Sequence, residues 1–71
     1  MSFNSPKKVS FILSCYNSQN TISESIDSLL NQTYKNIEIL LLDDGSTDDT
    51  YKICSDYERN NSQIVLFRNE V

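Results

Sequence analysis

Ile37-Glu38-Ile39-Leu40-Leu41-Leu42-Asp43-Asp44-Gly45-Ser46 is the stretch on which the reading of this chain turns. Four consecutive apolar residues, Ile39 to Leu42, replace strict alternation, and a strand patterned this way suits a sheet covered on both faces, as in parallel sheets. The apolar run passes without a spacer into Asp43-Asp44-Gly45-Ser46, which is a turn by composition. Two carboxylates therefore stand at the end of a buried strand, just ahead of a helical segment.

Upstream, Val9-Ser10-Phe11-Ile12-Leu13-Ser14 is a second short apolar run rich in strand formers. Asn17-Ser18-Gln19-Asn20 ends it with turn and capping residues. From Thr21 the period changes: Ile22, Ile26, Leu29 and Leu30 share one helical face, with Ser23, Ser25, Asp27 and Ser28 opposite. Thr21 and Glu24 have capping-box spacing, and the helix is expected to end near Gln32. Downstream of the acidic turn, Ser46 or Thr47 is expected to cap a second helix, with Asp48 and Asp49 in its first turn, where the dipole favours negative charge. Thr50, Ile53, Cys54 and Tyr57 form its inner stripe, Asn60-Asn61-Ser62 ends it, and Gln63 to Arg68 reads as a third strand.

The fold class is α/β: a Rossmann-like βαβαβ half-sheet of the three-layer type, with parallel strands in the order 3-2-1. Residues 1–8 are expected to be a flexible start, and residues 9–71 one partial domain. Two right-handed crossovers in the same direction place both helices on one face of the sheet. The opposite face and the outer edge of the first strand are then bare, although the strands are patterned for double burial. The chain therefore reads as a fragment of a larger sheet.

Composition narrows the function. The 71 residues carry six basic and ten acidic side chains, a net charge of −4, which argues against nucleic acid as a partner because that binding rests on phosphate neutralisation. No apolar stretch approaches the ~20 residues that span a bilayer, and the start lacks the apolar core of a signal peptide, so the expected location is the cytoplasm. Cys15 and Cys54 have no metal-site spacing and are expected to be free thiols acting as small buried hydrophobes.

In open α/β sheets the ligand sits beyond the carboxyl ends of the strands. That rule sets Ser14-Cys15-Tyr16-Asn17 beside Asp43-Asp44-Gly45-Ser46. A planar base can stack on Tyr16 while a carboxylate accepts from an N–H on the base edge, a buried polar match that rejects wrong ligands strongly. The plain alternatives are a strand-end tyrosine and a turn feeding a helix. Neither a G-x-G-x-x-G run nor a P-loop lysine is present, so a nucleotide diphosphate needs neutralising elsewhere, normally by a divalent ion.

Three ordered segments carry a resemblance: Val9 to Asn17, Ser28-Leu29-Leu30-Asn31-Gln32-Thr33-Tyr34, and Ile37 to Asp48. Together they resemble the family-2 inverting glycosyltransferases, whose pattern runs V-S-[VI]-I-[IV]-P-x-Y-N, then S-[LI]-L-x-Q-[TS]-[YF], then E-[IL]-[IL]-[VI]-V-D-D-G-S-x-D. The likeness runs from about Val9 to Phe67. It implies a truncated GT-A domain whose N-terminal portion binds the nucleoside diphosphate of a donor sugar, commonly UDP-linked. It implies Ser14 as the strand-one contact, Tyr16 against the base, Asp44 reading the base and Asp43 supporting the loop, with Cys15 and Asn17 in the same nucleotide-binding segment. Ser14 replaces the family's usual proline, and Cys15 a usual Thr, Ser or Ala.

Family members carry a D-x-D metal motif on a later strand and a carboxylate base beyond it. The resemblance thus implies Mn²⁺ or Mg²⁺ in the intact enzyme with ligands outside this chain, none for the chain itself, and no catalysis by these 71 residues. It also implies a glycan or lipid-linked acceptor, a role in polysaccharide biosynthesis, and a place in the cytoplasm or at its membrane face. A receiver-like signalling domain is disfavoured because strand one ends without an acid. The remaining alternative is a binding module without transferase activity, in which the bare edge from Val9 to Ser14 recruits another chain, a second copy included, by strand addition.

Overall fold

The structure is a computed structural model that describes residues 7–69. Strands β1 (Val9–Cys15), β2 (Ile37–Asp43) and β3 (Ile64–Arg68) alternate with helices α1 (Ile22–Leu30) and α2 (Thr50–Asn60). The three strands pair in parallel in the order β1-β2-β3, so the expected half-sheet is present. Of the flexible start expected over residues 1–8, residues 1–6 lie outside the described residues.

The register explains the two-sided character of the sheet. Cys15, Asp43 and Arg68 stand level across the three strands, as do Ser14, Leu42 and Phe67 one position earlier. Successive strand residues point to opposite faces. The first set shares its face with Ile37, Ile39, Leu41 and Ile64, which are buried against Ile22 and Ile26 of α1 and Cys54 of α2. Both helices thus cover the same face, as two like-handed crossovers require. On the other face Ile12 is 66% exposed and Phe67 52%, with Leu42 and Val65 also open. Tyr57 Oη of α2 donates to Asp27 Oδ1 of α1 at 2.7 Å, tying the helices together at their polar margin.

Both helix starts differ from expectation. Thr21 occupies the N-cap of α1 without a side-chain capping bond, so the box with Glu24 does not form. Instead the Ser18 carbonyl accepts from Thr21 N–H, Ile22 N–H and Thr21 Oγ1, which draws the threonine hydroxyl out of the capping position. Helix α2 begins at Thr50 because the hydroxyls of Ser46 and Thr47 are engaged elsewhere, on Asp43 and Asn17. The opening turn is closed by Asp48, whose Oδ1 accepts from Thr50 N–H at 2.9 Å and from Thr50 Oγ1. Helix α1 closes at Leu30, with Asn31 as its C-cap, two residues before Gln32.

Candidate functional site

Parallel pairing brings the loops after β1 and β2 to the same edge, and a set of hydrogen bonds stitches them together. Asp44 N–H donates to Cys15 C=O at 2.9 Å, continuing the β1–β2 ladder one step past the strands. Asn17 then turns the chain with φ of 47°, a left-handed value that asparagine tolerates better than most residues. Its N–H donates to Ser46 Oγ at 2.9 Å, while its Oδ1 accepts from Thr47 N–H at 2.8 Å and Asp48 N–H at 3.3 Å. Ser18 N–H donates to Thr50 Oγ1 at 2.7 Å, Gln19 N–H to Asp48 Oδ2 at 3.3 Å, and Asp49 N–H to Gln19 Oε1 at 3.0 Å. Gly45 supplies the one positive-φ glycine, 76°, that lets the second loop fold back.

At this edge an open cleft of about 370 Å³ is lined by Ser14, Leu42, Asp43, Asp44, Phe67, Arg68 and Asn69. Ser14, Leu42 and Phe67 belong to one row on the uncovered face, so the cleft has a largely apolar floor beneath a polar rim. Asp44 is exposed, and its Oδ1 accepts from Asn69 Nδ2 at 3.0 Å. Asp43 is fully buried: Oδ1 accepts from Ser46 N–H at 3.2 Å and from the Ser46 hydroxyl. Asp43 Oδ2 has no hydrogen-bond partner and lies 3.6 Å from Arg68 Nε.

Of the six residues singled out in the sequence, Ser14, Asp43 and Asp44 meet in this cleft. Cys15, Tyr16 and Asn17 do not line it. Tyr16 is 59% exposed beside it in sequence, Asn17 is spent on the loop staple, and Cys15 is buried beneath the edge. There Cys15 Sγ lies 3.9 Å from Cys54 Sγ, and both thiols are free. Burial raises the pKa of both, pushing Cys54 up to about 12, so neither is a ready nucleophile. Desolvation opposes charge on Asp48, but the hydrogen bonds from Thr50 and Gln19 outweigh it and hold its carboxyl below the ordinary value.

The contribution of β3 was not anticipated. Phe67, Arg68 and Asn69 form one side of the cleft. The signal was available: in a 3-2-1 sheet the third strand ends at the same edge as the first two, and Arg68 closes an apolar strand beside one that closes on an acid. Asp43 is turned to Ser46 and Arg68, Asp44 meets Asn69, and among the described residues no group of three or more His, Cys, Asp or Glu could hold a metal.

A parallel βαβαβ half-sheet with a cleft at its carboxyl edge defines a truncated Rossmann-like unit. The sequence model of glycosyl transferase family 2 matches residues 10–71, and the chain belongs to that family. It is 47% identical over 68 residues to the putative glycosyltransferase EpsE of Bacillus subtilis, covering 94% of this chain and 24% of that protein. Two Escherichia coli proteins named UDP-Glc:alpha-D-GlcNAc-diphosphoundecaprenol beta-1,3-glucosyltransferase, WfaP and WfgD, are also similar. WfaP is 46% identical over 61 residues, 86% of this chain and 24% of its own length. WfgD is 48% identical over 63 residues, 87% of this chain and 24% of its own length. The chain thus spans about a quarter of these relatives. Among the described residues no helix is long and apolar enough to cross a membrane.

Proposed function

We propose that this chain is the donor-nucleotide half-site of an inverting glycosyltransferase that moves a sugar from a UDP-linked donor to an acceptor hydroxyl. The observation that carries the reading is the meeting of Ser14 and Asp44 in one cleft at the carboxyl edge of the sheet, on a chain whose family transfers sugars. In this reading Asp44 accepts from the ring N–H of uracil, Tyr16 packs on the base, and Ser14, Cys15 and Asn17 shape the strand-one side. Asp43 supports the loop, consistent with its burial against Ser46. The names of WfaP and WfgD, which specify a UDP-sugar donor and a diphosphoundecaprenol-linked acceptor, favour UDP and a lipid-linked acceptor here. A place at the cytoplasmic face of a membrane and a role in polysaccharide assembly are proposed with that reading.

The chain alone is proposed not to catalyse. Among the described residues no group of three or more His, Cys, Asp or Glu could hold a metal, so the divalent ion and the catalytic base are assigned to residues other than those described. Calorimetric titration with UDP and ADP tests the base assignment. UDP is expected to bind more tightly, and Asp44→Ala or Tyr16→Ala to remove the difference. Equal binding of both nucleotides, unchanged in the two variants, would refute it.

A second behaviour is favoured by a specific observation. Among the described residues β1 pairs on one side only, and the uncovered face beside it exposes Ile12 and Phe67. The chain by itself is proposed to self-associate along the Val9 to Ser14 edge.

A further inference from the structure

We infer that Arg68 is the positioning residue of this cleft, holding the Asp43–Ser46 turn in the shape that presents Asp44. The inference rests on the nucleotide reading for its consequence but not for its geometry. Asp43 Oδ2 is buried without a hydrogen bond, and the Arg68 guanidinium, 3.6 Å away, is the charge that faces it. The same guanidinium donates from Nη2 to the Ser46 carbonyl at 3.1 Å and lies 4.5 Å over the ring of Tyr51 on α2. One side chain therefore grips both ends of a four-residue turn and is itself held by the following helix.

A buried carboxylate oxygen left without any partner is costly, and the group escapes by swinging toward water. For Asp43 that swing would break the bonds its other oxygen accepts from Ser46 N–H and the Ser46 hydroxyl. Those bonds fix the turn in which Asp44 sits. Loss of Arg68 is thus transmitted to Asp44 without any contact between the two side chains. Lysine cannot substitute: it carries the charge but lacks the planar fork that pairs with a carboxylate, bonds a carbonyl and lies flat on a ring at once.

The test uses the chain with Arg68→Gln, Arg68→Lys and, as a milder probe of the same arrangement, Tyr51→Leu. Amide exchange of Ser46 reads the turn without any ligand, and UDP and ADP titrations read the consequence. In Arg68→Gln and Arg68→Lys the Ser46 amide is expected to lose protection while core amides such as those of Ile39 and Leu41 keep theirs. UDP affinity is expected to fall about tenfold, the scale of one well-placed hydrogen bond, with a smaller loss for Tyr51→Leu. In the Asp44→Asn background Arg68→Gln is expected to cost nothing further.

Unchanged protection of Ser46 overturns the inference, as does lost protection with unchanged UDP affinity. Multiplying losses in the double variant also overturn it, because they mean that Arg68 touches the ligand directly. If the unmodified chain does not distinguish UDP from ADP, the nucleotide reading fails, and Ser46 exchange alone still decides whether Arg68 holds the turn.

Discussion

Replacing Asn17 by alanine removes the staple between the two loops and strains the backbone at the same position. The Thr47 N–H bond to Asn17 Oδ1, at 2.8 Å, contributes about 1 kcal/mol net. The longer bond from Asp48 N–H, at 3.3 Å, adds roughly half as much. Alanine held at φ of 47° costs about 1 kcal/mol more than asparagine or glycine once the entropy of the unfolded chain is counted. The sum for Asn17→Ala is about 2.5 kcal/mol, and for Asn17→Gly, which loses the bonds without the strain, about 1.5 kcal/mol. A single core of this size rarely supplies more than about 3–5 kcal/mol, so the alanine variant stands close to unfolding while the glycine variant remains folded. Urea titration followed by circular dichroism measures both. Equal destabilisation of the two variants would show that the left-handed turn carries no strain, and losses below about 0.5 kcal/mol in both would refute the staple, given the bond energies above.

Three further outcomes are expected. With Cys54 pushed up to about 12 from its ordinary value of 9.0, iodoacetamide should label the native thiols far more slowly than the urea-unfolded chain at the same pH, and equal rates would contradict their burial. Because the folded state keeps protons that the unfolded state releases, stability should decline as pH rises from 9 toward 12, measurable as a falling urea midpoint. For self-association, light scattering should show mass rising with concentration, and Ile12→Lys, which sets a charge on the uncovered face beside the β1 edge, should return the chain to a monomer. A monomeric unmodified chain at high concentration would rule the association out.

The strands and helices were legible because each has a short, unmixed pattern. Apolar runs from Val9 and Ile37 end at polar turns, and the periodic stripes Ile22-Ile26-Leu29-Leu30 and Thr50-Ile53-Cys54-Tyr57 allow only one inward face each. The helix caps were not legible. Thr21, Ser46 and Thr47 are good capping residues, but a hydroxyl has several acceptors within reach, and here Thr21 and Ser46 bond Ser18 and Asp43, each three residues back, while Thr47 bonds Asn17 across the loops.

Sequence by itself determined the parallel α/β half-sheet, the single face that its helices cover, and the edge at which Ser14, Asp43 and Asp44 come together. Period and connection length are local properties, and handedness converts them into topology. Only the tertiary structure decided that Arg68 of β3 faces the buried Asp43 and that Asn17 serves as a staple. It also showed Cys15 meeting Cys54 beneath the site. Each of these pairings joins residues more than twenty positions apart through a strand register, a backbone dihedral or the packing of a helix on the sheet, which the order of residues narrows but does not fix.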